Sequence, residues 1–209
     1  MAPRAYNSET RKQQQAALKA RIAEAAVQLH AEKGVLGTSY ADVAQRAGVS
    51  LPTVYNHFPT QDDLIGACTG HAASLAPELP VGDMLAAPTL AAAAEMLADA
   101  MDRMHLYFEP WMAWGERRVI PTLQQILDGE RRQLTGLIAQ LLAAHLGAGD
   151  HREAAATWET LLSFDFWHRL VREHKLARTA ARRQVVQLLL AAAGPLPAAS
   201  PSPRPKHRK

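Results

Sequence analysis

The sequence contains a single cysteine, Cys68, and only 6% of its 209 residues are aromatic. One cysteine excludes an intrachain disulfide framework and a zinc site built from several thiolates. Long hydrophobic runs are also missing, because no stretch approaches the roughly 18 uninterrupted apolar residues of a membrane span. The N-terminal sequence MAPRAYNSETRKQQQ lacks the apolar segment of a secretory signal. Together these absences predict a reduced, soluble, cytoplasmic protein with no membrane partner.

The net charge of +3 is distributed unevenly along the chain. Residues 1–34 hold six Lys or Arg against three Asp or Glu, and residues 201–209 hold four against none. Residues 71–200 hold 12 against 14. Two basic ends around a slightly acidic body fit a polyanionic partner, but solvated tails have the same composition. Charge alone therefore leaves both interpretations open.

Strand-like patterns are absent, since no run of β-branched residues alternates with polar ones. Apolar residues make up 48% of the chain and recur at helical spacing, which predicts an all-α fold. Ser50 is a candidate helix N-cap, Pro52 fits the first turn after it, and Gly48 fits a left-handed turn. The predicted helices cover about 14–33, 39–47, 51–58, 60–75, 90–109, 122–146, 150–174 and 180–193.

Three prolines within the segment PELPVGDMLAAP mark a predicted domain boundary. The tail LPAASPSPRPKHRK is too polar and proline-rich to bury a core. The predicted organisation is a flexible N-terminal arm, a helix-turn-helix domain, a connecting helix, a ligand-binding and dimerisation domain, and a disordered basic tail. These segments cover residues 1–13, 14–59, 60–76, 77–194 and 195–209, respectively.

Residues 38–64 read TSYADVAQRAGVSLPTVYNHFPTQDDL and predict two short helices joined by a turn at Gly48. Such a pair is the helix-turn-helix unit, whose second helix enters the major groove of DNA. If the small apolar residues pack inward, a polar and weakly apolar set points outward from the second helix. This set suits base edges and phosphates, and consists of Leu51, Pro52, Thr53, Tyr55, Asn56 and His57. The alternative is a small helical domain with a polar face.

The same 27 residues resemble the DNA-binding signature of the TetR/AcrR family of bacterial regulators. The resemblance implies an N-terminal three-helix helix-turn-helix DNA-binding domain plus a C-terminal helical effector and dimerisation domain. By position, Leu51, Pro52 and Thr53 would face bases, whereas Tyr55 and His57 would contact phosphates or groove walls. The implied DNA-binding residues are Ser39, Tyr40, Ser50, Leu51, Pro52, Thr53, Tyr55, Asn56, His57 and Gln61.

Gln61 departs from the family pattern, in which a lysine often contacts a phosphate at this position. Glutamine can donate a hydrogen bond but neutralises no charge. A dimer would therefore forgo two neutralised phosphates and flatten its log-affinity versus log-salt slope by about 1.8. One hypothesis is that the basic termini compensate by non-specific attraction, and the alternative is a solubilising tail with no role in DNA binding.

The segment SFDFWHRLV places aromatic residues on several sides of a helix, so that helix must be buried on more than one face. With the last helix it resembles half of the four-helix dimer interface that is usual in the family, which fits a two-fold symmetric operator. The predicted interface residues are Phe164, Trp167, His168, Val171, Val186, Leu189 and Leu190. The alternative is a wholly intrachain core.

Methionines and aromatic residues in the second domain predict an effector pocket. Methionine adapts to irregular shapes, and tryptophan offers a broad apolar face with one donor. The predicted ligand-binding residues are Met101, Met104, His105, Phe108, Trp111, Trp114 and Trp158, with Met112 as a further candidate. The alternative is ordinary core packing.

Metal and catalytic sites are not predicted. Cys68 with His71, and His105 with Glu109, each supply two ligands where structural zinc takes four. No phosphate-binding loop, nucleophile elbow or paired-carboxylate motif occurs. The sequence therefore predicts no enzyme, no metal and no cofactor, but a homodimeric, ligand-responsive regulator, most simply a repressor of a near-palindromic DNA operator. The alternatives are a sequence-tolerant DNA-binding protein and a small-molecule binding protein whose helix-turn-helix is vestigial.

Overall fold

The computed structural model describes residues 8–194, which form helices and no strand, so the all-α prediction is confirmed. A 3₁₀ turn covers Glu116–Arg118, and a π-helical turn covers Arg169–Glu173. The predicted tail and the first seven residues of the predicted arm lie outside the described residues. The helices are α1 (Ser8–Lys33), α2 (Tyr40–Ala47), α3 (Leu51–His57), α4 (Gln61–Ser74), α5 (Val81–Leu85), α6 (Leu90–Met112), α7 (Pro121–Leu146), α8 (Arg152–Leu161), α9 (Phe164–His168) and α10 (Arg178–Ala192).

The chain forms two compact units, and each unit combines two separate segments of the sequence. The first unit combines the chain up to Glu78 with Arg103–Glu130, and the second combines Leu79–Asp102 with the chain from Arg131 onward. Both α6 and α7 contribute to both units, because helices of 23 and 26 residues are longer than one small core requires. The structure thus differs from the predicted continuous domain 77–194, since residues 103–130 pack with the first unit.

Small residues bring the first four helices together in the first unit. Alanines on α1 and α2 let the helix backbones approach closely, and Ile22, Val43 and Val54 are fully buried between them. A second apolar cluster joins Val35 and Ile65 to Ile120 of the 103–130 segment.

A buried charge cluster and Trp158 organise the second unit. The fully buried Trp158 donates its indole N–H to the carbonyl of Leu189 at 2.7 Å. The carboxylate of Asp102, 6% exposed, accepts from the indole of Trp167 at 2.7 Å and from Arg178 at 2.6 Å. Because a buried carboxylate needs such partners, this cluster fixes α6 against α9 and α10.

Two helix ends differ from their predicted positions. Helix α1 begins at Ser8 rather than near Gln14, because an acidic Glu9 in the first turn and good helix formers after it stabilise an extra turn without apolar periodicity. Helix α6 continues past Pro110 to Met112. A proline removes one hydrogen bond to the preceding turn, but it does not prevent the few residues after it from staying helical.

The predicted helix 150–174 is interrupted, and Asp150 and Glu153, whose spacing resembles a capping pair, do not cap its start. Asp150 accepts hydrogen bonds from the backbone N–H and the guanidinium of Arg152. The N-cap residue of α8 is His151, which makes no side-chain capping bond. The interruption falls at Ser163, whose hydroxyl accepts from the backbone N–H of Phe166 at 3.3 Å and caps α9.

Candidate nucleic-acid interface

Side-chain caps and a left-handed glycine fix the turn between α2 and α3. Ser39 and Asp42 form a reciprocal capping box at the start of α2. Gly48 ends that helix with φ of +63°, and Ser50 caps α3 by accepting from the N–H of Thr53 at 3.3 Å. The sequence-based assignments of Gly48 as the turn residue and Ser50 as the cap are confirmed.

The outer face of α3 is exposed and carries uncharged side chains apart from one histidine. Val54 is fully buried and anchors the helix, whereas Leu51 and Tyr55 are 39% and 51% exposed. Ser50, Pro52 and Asn56 are also exposed, and Thr53 and His57 are half-buried. The residues that the sequence assigned to DNA contacts thus lie together on one accessible surface.

Tyr40 connects α2 to the residues around the start of α4. Its hydroxyl lies 2.6 Å from the carbonyl oxygen of Thr60 and 3.0 Å from that of Phe58, and it donates to this pair. Its ring lies 4.7 Å from that of Tyr55, measured between centroids. Burial raises the pKa of Tyr40, and Asp63 and Tyr55 add to the shift, so the hydroxyl stays protonated as a donor. Tyr40 therefore positions α3 and α4 in addition to bordering the exposed face.

The start of α4 offers polar groups but no cation. Thr60 and Asp63 form a second capping box, and Gln61 is exposed beside them. Hydrogen bonds from Thr60 hold the pKa of Asp63 below its ordinary value, so this carboxylate is ionised at neutral pH. A phosphate here would meet helix N–H groups and the Gln61 amide next to a negative charge.

Ion pairs also consume positive charge within the helix-turn-helix region. Lys33 contacts Asp42 at 2.7 Å, and Arg46 binds Glu32 with two nitrogen atoms at 2.9 and 2.8 Å. Among the described residues of α1, the side chains of Arg11, Lys12, Lys19 and Arg21 are exposed to solvent. Because α1 starts at Ser8, the first two belong to a helix and not to the predicted flexible arm.

The segment 103–130 holds α1 and α4 by polar contacts. The indole N–H groups of Trp111 and Trp114 donate to the carbonyls of Val27 and Ala31 at 2.8 and 3.2 Å. The hydroxyl of Tyr107 donates to the carbonyl of Ala72 at 2.9 Å, and that of Thr122 donates to Asp62. The indole donors that the sequence offered to a ligand are thus occupied by α1.

The carboxylate of Glu116 also contacts the chain just after α1. Its two oxygens accept from the backbone N–H groups of Val35 at 2.6 Å and Leu36 at 2.9 Å. These groups follow Gly34, whose φ of +77° turns the chain at the end of α1. We call this arrangement the Glu116 clamp. Sequence reasoning missed it, because its partners are 80 and 81 residues apart and neither stretch carries a motif.

The structure divides the predicted ligand-binding residues between the two units. Met101 and Trp158 pack in the core of the second unit. The first unit contains Met104, His105, Phe108, Trp111, Met112 and Trp114. Within it, the ring of Phe108 lies 6.1 Å from that of Trp111.

The predicted dimer-interface residues differ in their accessibility. Leu189 is fully buried among residues of its own chain, so its side chain has no surface to offer a partner. Phe164, Trp167 and Val171 are buried as well. Three of the predicted residues are partly accessible, namely His168, Val186 and Leu190. Leu188, which the prediction did not include, is 43% exposed.

Residues 8–194 lack two further kinds of feature. No group of three or more His, Cys, Asp or Glu side chains in this range is arranged to hold a metal ion. None of the helices described here is both long and apolar enough to cross a membrane.

The capped α2–turn–α3 arrangement with an exposed second helix defines a helix-turn-helix protein. The family of bacterial regulatory proteins, tetR family, matches residues 22–68. The chain is 30% identical over 140 residues to the uncharacterized HTH-type transcriptional regulator Rv2250c of Mycobacterium tuberculosis, covering 65% of this chain and 72% of that protein. The HTH-type transcriptional repressor Rv3405c of the same organism is 30% identical over 132 residues, covering 60% of this chain and 66% of its own length, just under two thirds.

A solved structure has a similar fold over nearly the whole chain. The multidrug binding protein EbrR, crystallised with imidazole, has a TM-score of 0.57 at 22% identity, covering 95% of this chain and 100% of EbrR. The chain belongs to the TetR family. It is accordingly a transcriptional regulator and not an enzyme.

Proposed function

We propose that this regulator is a homodimeric repressor that binds a near-palindromic DNA operator and is released by a small, largely apolar effector. The observation that carries the proposal is the exposed face of α3, which holds no Asp, Glu, Lys or Arg and belongs to a helix capped by Ser50. Uncharged polar and apolar groups suit base edges, because phosphate contacts give affinity without sequence preference.

The proposed contacts follow from the exposure of each side chain. Leu51, Pro52 and Thr53 begin α3 and would face bases, since recognition helices contact base edges with their N-terminal residues. Tyr55, Asn56 and His57 would reach groove walls and phosphates. Contacts to the DNA backbone would come from Ser39, Tyr40, Ser50 and Gln61.

Homodimerisation is proposed through α8, α9 and α10. Val186 and Leu190 lie one turn apart on one side of the buried stripe of α10 and remain partly accessible, and Leu188 is exposed on the other side of that stripe. A two-fold dimer would present two copies of α3 to successive major grooves about 34–36 Å apart. An inverted-repeat operator follows from that symmetry.

The effector part of the proposal is supported by the similarity of the fold to EbrR, a multidrug binding protein, and by the apolar residues of α6. Of the predicted ligand-binding residues, Met101 and Trp158 are apolar candidates within the second unit. A coupling of about 1–3 kcal/mol between effector and DNA would change operator affinity about 5–150-fold.

The test is selection of bound duplexes from a random DNA pool by wild type, Tyr55→Ala and Leu85→Ala. Tyr55 lies on the proposed DNA face, whereas Leu85 is an exposed apolar residue of the second unit, 37% accessible. We expect wild type and Leu85→Ala to enrich one inverted repeat and Tyr55→Ala to enrich it weakly. DNA binding with no preferred sequence would favour a sequence-tolerant DNA-binding protein, and no DNA binding would favour a vestigial helix-turn-helix.

A second variant tests the assignment of Gln61. Replacing it with lysine adds one cation per protomer at the start of α4. We expect the slope of log affinity against log salt to steepen by about 1.8 for a dimer on the selected operator. An unchanged slope would remove Gln61 from the proposed phosphate contacts.

A further inference from the structure

The first unit contains a cavity of about 440 Å³ beside the proposed DNA-binding surface. This volume lies in the range of small-molecule sites. Its lining includes His30, Leu36, Tyr40, Tyr55, Gln61 and Ile65. Three of these six residues, Tyr40, Tyr55 and Gln61, also belong to the proposed DNA contacts.

His30 is the polar group that gives the cavity its chemistry. Its side chain is only 5% exposed, and its Nδ1 lies 3.4 Å from the sulfur of Cys68. The Cys68 thiol donates its proton to the carbonyl of Ile65 at 3.2 Å. With the thiol proton on that carbonyl, the sulfur accepts from Nδ1–H of His30, and the tautomer that fits this arrangement has Nε2 as its acceptor.

Nε2 of His30 is directed to accessible space. It has no hydrogen-bond partner among residues 8–194. In the same range, every fully buried side-chain nitrogen or oxygen has a partner, so Nε2 is not fully buried. His30 lines the cavity, whereas Cys68, which contacts Nδ1, does not. The opposite edge of the imidazole ring, which carries Nε2, therefore faces the cavity.

The remaining walls suit an uncharged, largely apolar ligand. Leu36 and Tyr55 are 66% and 51% exposed, which is unusual for large apolar surfaces and leaves an open, uncovered rim. Ile65 contributes an apolar wall, and none of the lining side chains is ionised while His30 is neutral. Burial lowers the pKa of His30 to about 4, despite the opposing effect of Glu116, so the imidazole is neutral near pH 7.

We infer that the helix-turn-helix domain binds a small, neutral, largely apolar molecule carrying one hydroxyl or N–H donor, which bonds to Nε2 of His30 and competes with DNA. This site is separate from the effector site proposed above. The competition rests on the proposed DNA-binding function, because it follows from the double role of Tyr40, Tyr55 and Gln61. The binding itself does not rest on that function.

Phenol and anisole are matched probes for the site, since they share the aromatic ring but only phenol has a donor. The measurement is NMR of ¹³C-labelled isoleucine methyl groups in the full chain. Ile65 lines the cavity, and Ile138, in the core of the second unit, is the internal control. We expect a saturable shift of Ile65 with phenol, no shift of Ile138, and about tenfold weaker binding of anisole, as for one hydrogen bond. Equal binding of both probes, or no shift of Ile65, would overturn the inference.

The variants His30→Phe and His71→Phe complete the test. The first keeps a flat ring but removes the acceptor, and the second changes a histidine of α4 that does not line the cavity. We expect phenol to bind His30→Phe about tenfold more weakly and His71→Phe as it binds wild type. If His30→Phe fails to fold, the comparison of phenol with anisole on wild type still decides the question.

DNA binding supplies the last measurement, with the selected operator and increasing phenol. Competition predicts that operator affinity falls with a midpoint near the phenol Kd given by the Ile65 shift. Phenol binding without loss of operator affinity would refute the competition. Failure to select any operator would count against the proposed function and leave the NMR result on the site standing.

Discussion

Gly34 and Gly48 both adopt a left-handed backbone, with φ of +77° and +63°, but their surroundings differ. A Cβ atom added at Gly48 would have no neighbour within 4 Å, apart from the adjoining residues. A Cβ atom added at Gly34 would lie 2.5 Å from Oε1 of Glu116. Alanine at the two positions therefore separates the cost of the backbone from the cost of disturbing the Glu116 clamp.

The backbone cost of a left-handed alanine is about 1–2 kcal/mol at either position. At Gly34 the methyl group also displaces a carboxylate that accepts from Val35 and Leu36 at 2.6 and 2.9 Å. Hydrogen bonds to charged groups contribute about 1.5–3 kcal/mol each, and two on one carboxylate are not fully additive. We expect Gly34→Ala to lower the free energy of unfolding by about 3–5 kcal/mol and Gly48→Ala by about 1–2 kcal/mol.

Urea unfolding of both variants, each also made together with Glu116→Ala, measures the coupling. Without the carboxylate, Gly34→Ala should cost only the backbone term of about 1–2 kcal/mol, whereas the cost of Gly48→Ala should not change. Amide hydrogen exchange of Val35 and Leu36 should accelerate in Gly34→Ala and in Glu116→Ala. Equal costs at the two glycines, or a Gly34→Ala cost that does not depend on Glu116, would refute the stabilising role of the clamp.

Three further predictions concern buried side chains. Burial lowers the pKa of His30 from 6.5 to about 4, so unfolding takes up a proton between these pH values. The stability of wild type should therefore decrease from pH 6.5 to 4, and that of His30→Phe should decrease less. An equal change of the urea midpoint with pH in the two proteins would contradict this. Burial raises the pKa of the Cys68 thiol to about 11, so a disulfide reagent at pH 8 should react slowly with the folded protein and rapidly in denaturant. A fast reaction of the folded protein would contradict the burial of Cys68. Trp111→Phe removes the indole hydrogen bond to the part-buried carbonyl of Val27 and should cost about 1 kcal/mol. Trp114→Phe, at a residue 47% exposed, should cost less than about 0.5 kcal/mol in urea unfolding, and the reverse order would contradict the assigned contacts.

Local signals explain why the helix-turn-helix could be predicted so closely. Ser50 and Thr60 cap the helices that follow them, and Gly48 supplies the one left-handed residue that the turn requires. Each of these effects acts within about four residues, so a single sequence contains all the information. Local spacing was not sufficient at Asp150. Its distance in sequence from Glu153 fits a capping pair, but its carboxylate binds the guanidinium of the nearer Arg152.

The candidate site was predictable where it depends on periodicity and was not where it depends on distant contacts. The exposed face of α3 follows from burying Val54 and Phe58. The contacts of Trp111 with Val27 and of Glu116 with Val35 join parts of the chain more than 80 residues apart. Aromatic composition could identify Trp111 as a buried or binding residue, but it could not choose a backbone carbonyl over a ligand as the partner of its indole.

The discontinuous first unit has a consequence for how the protein is made and how it can be recombined. A ribosome that has reached Glu78 has synthesised α1 to α4, yet Ile120, which packs against Val35 and Ile65, is still to come. The DNA-binding part therefore completes its core only after residue 130 has been added. A chimera joined at the proline-rich segment after Glu78 would pair these helices with a foreign stretch, so a working exchange must carry residues 103–130 along with them.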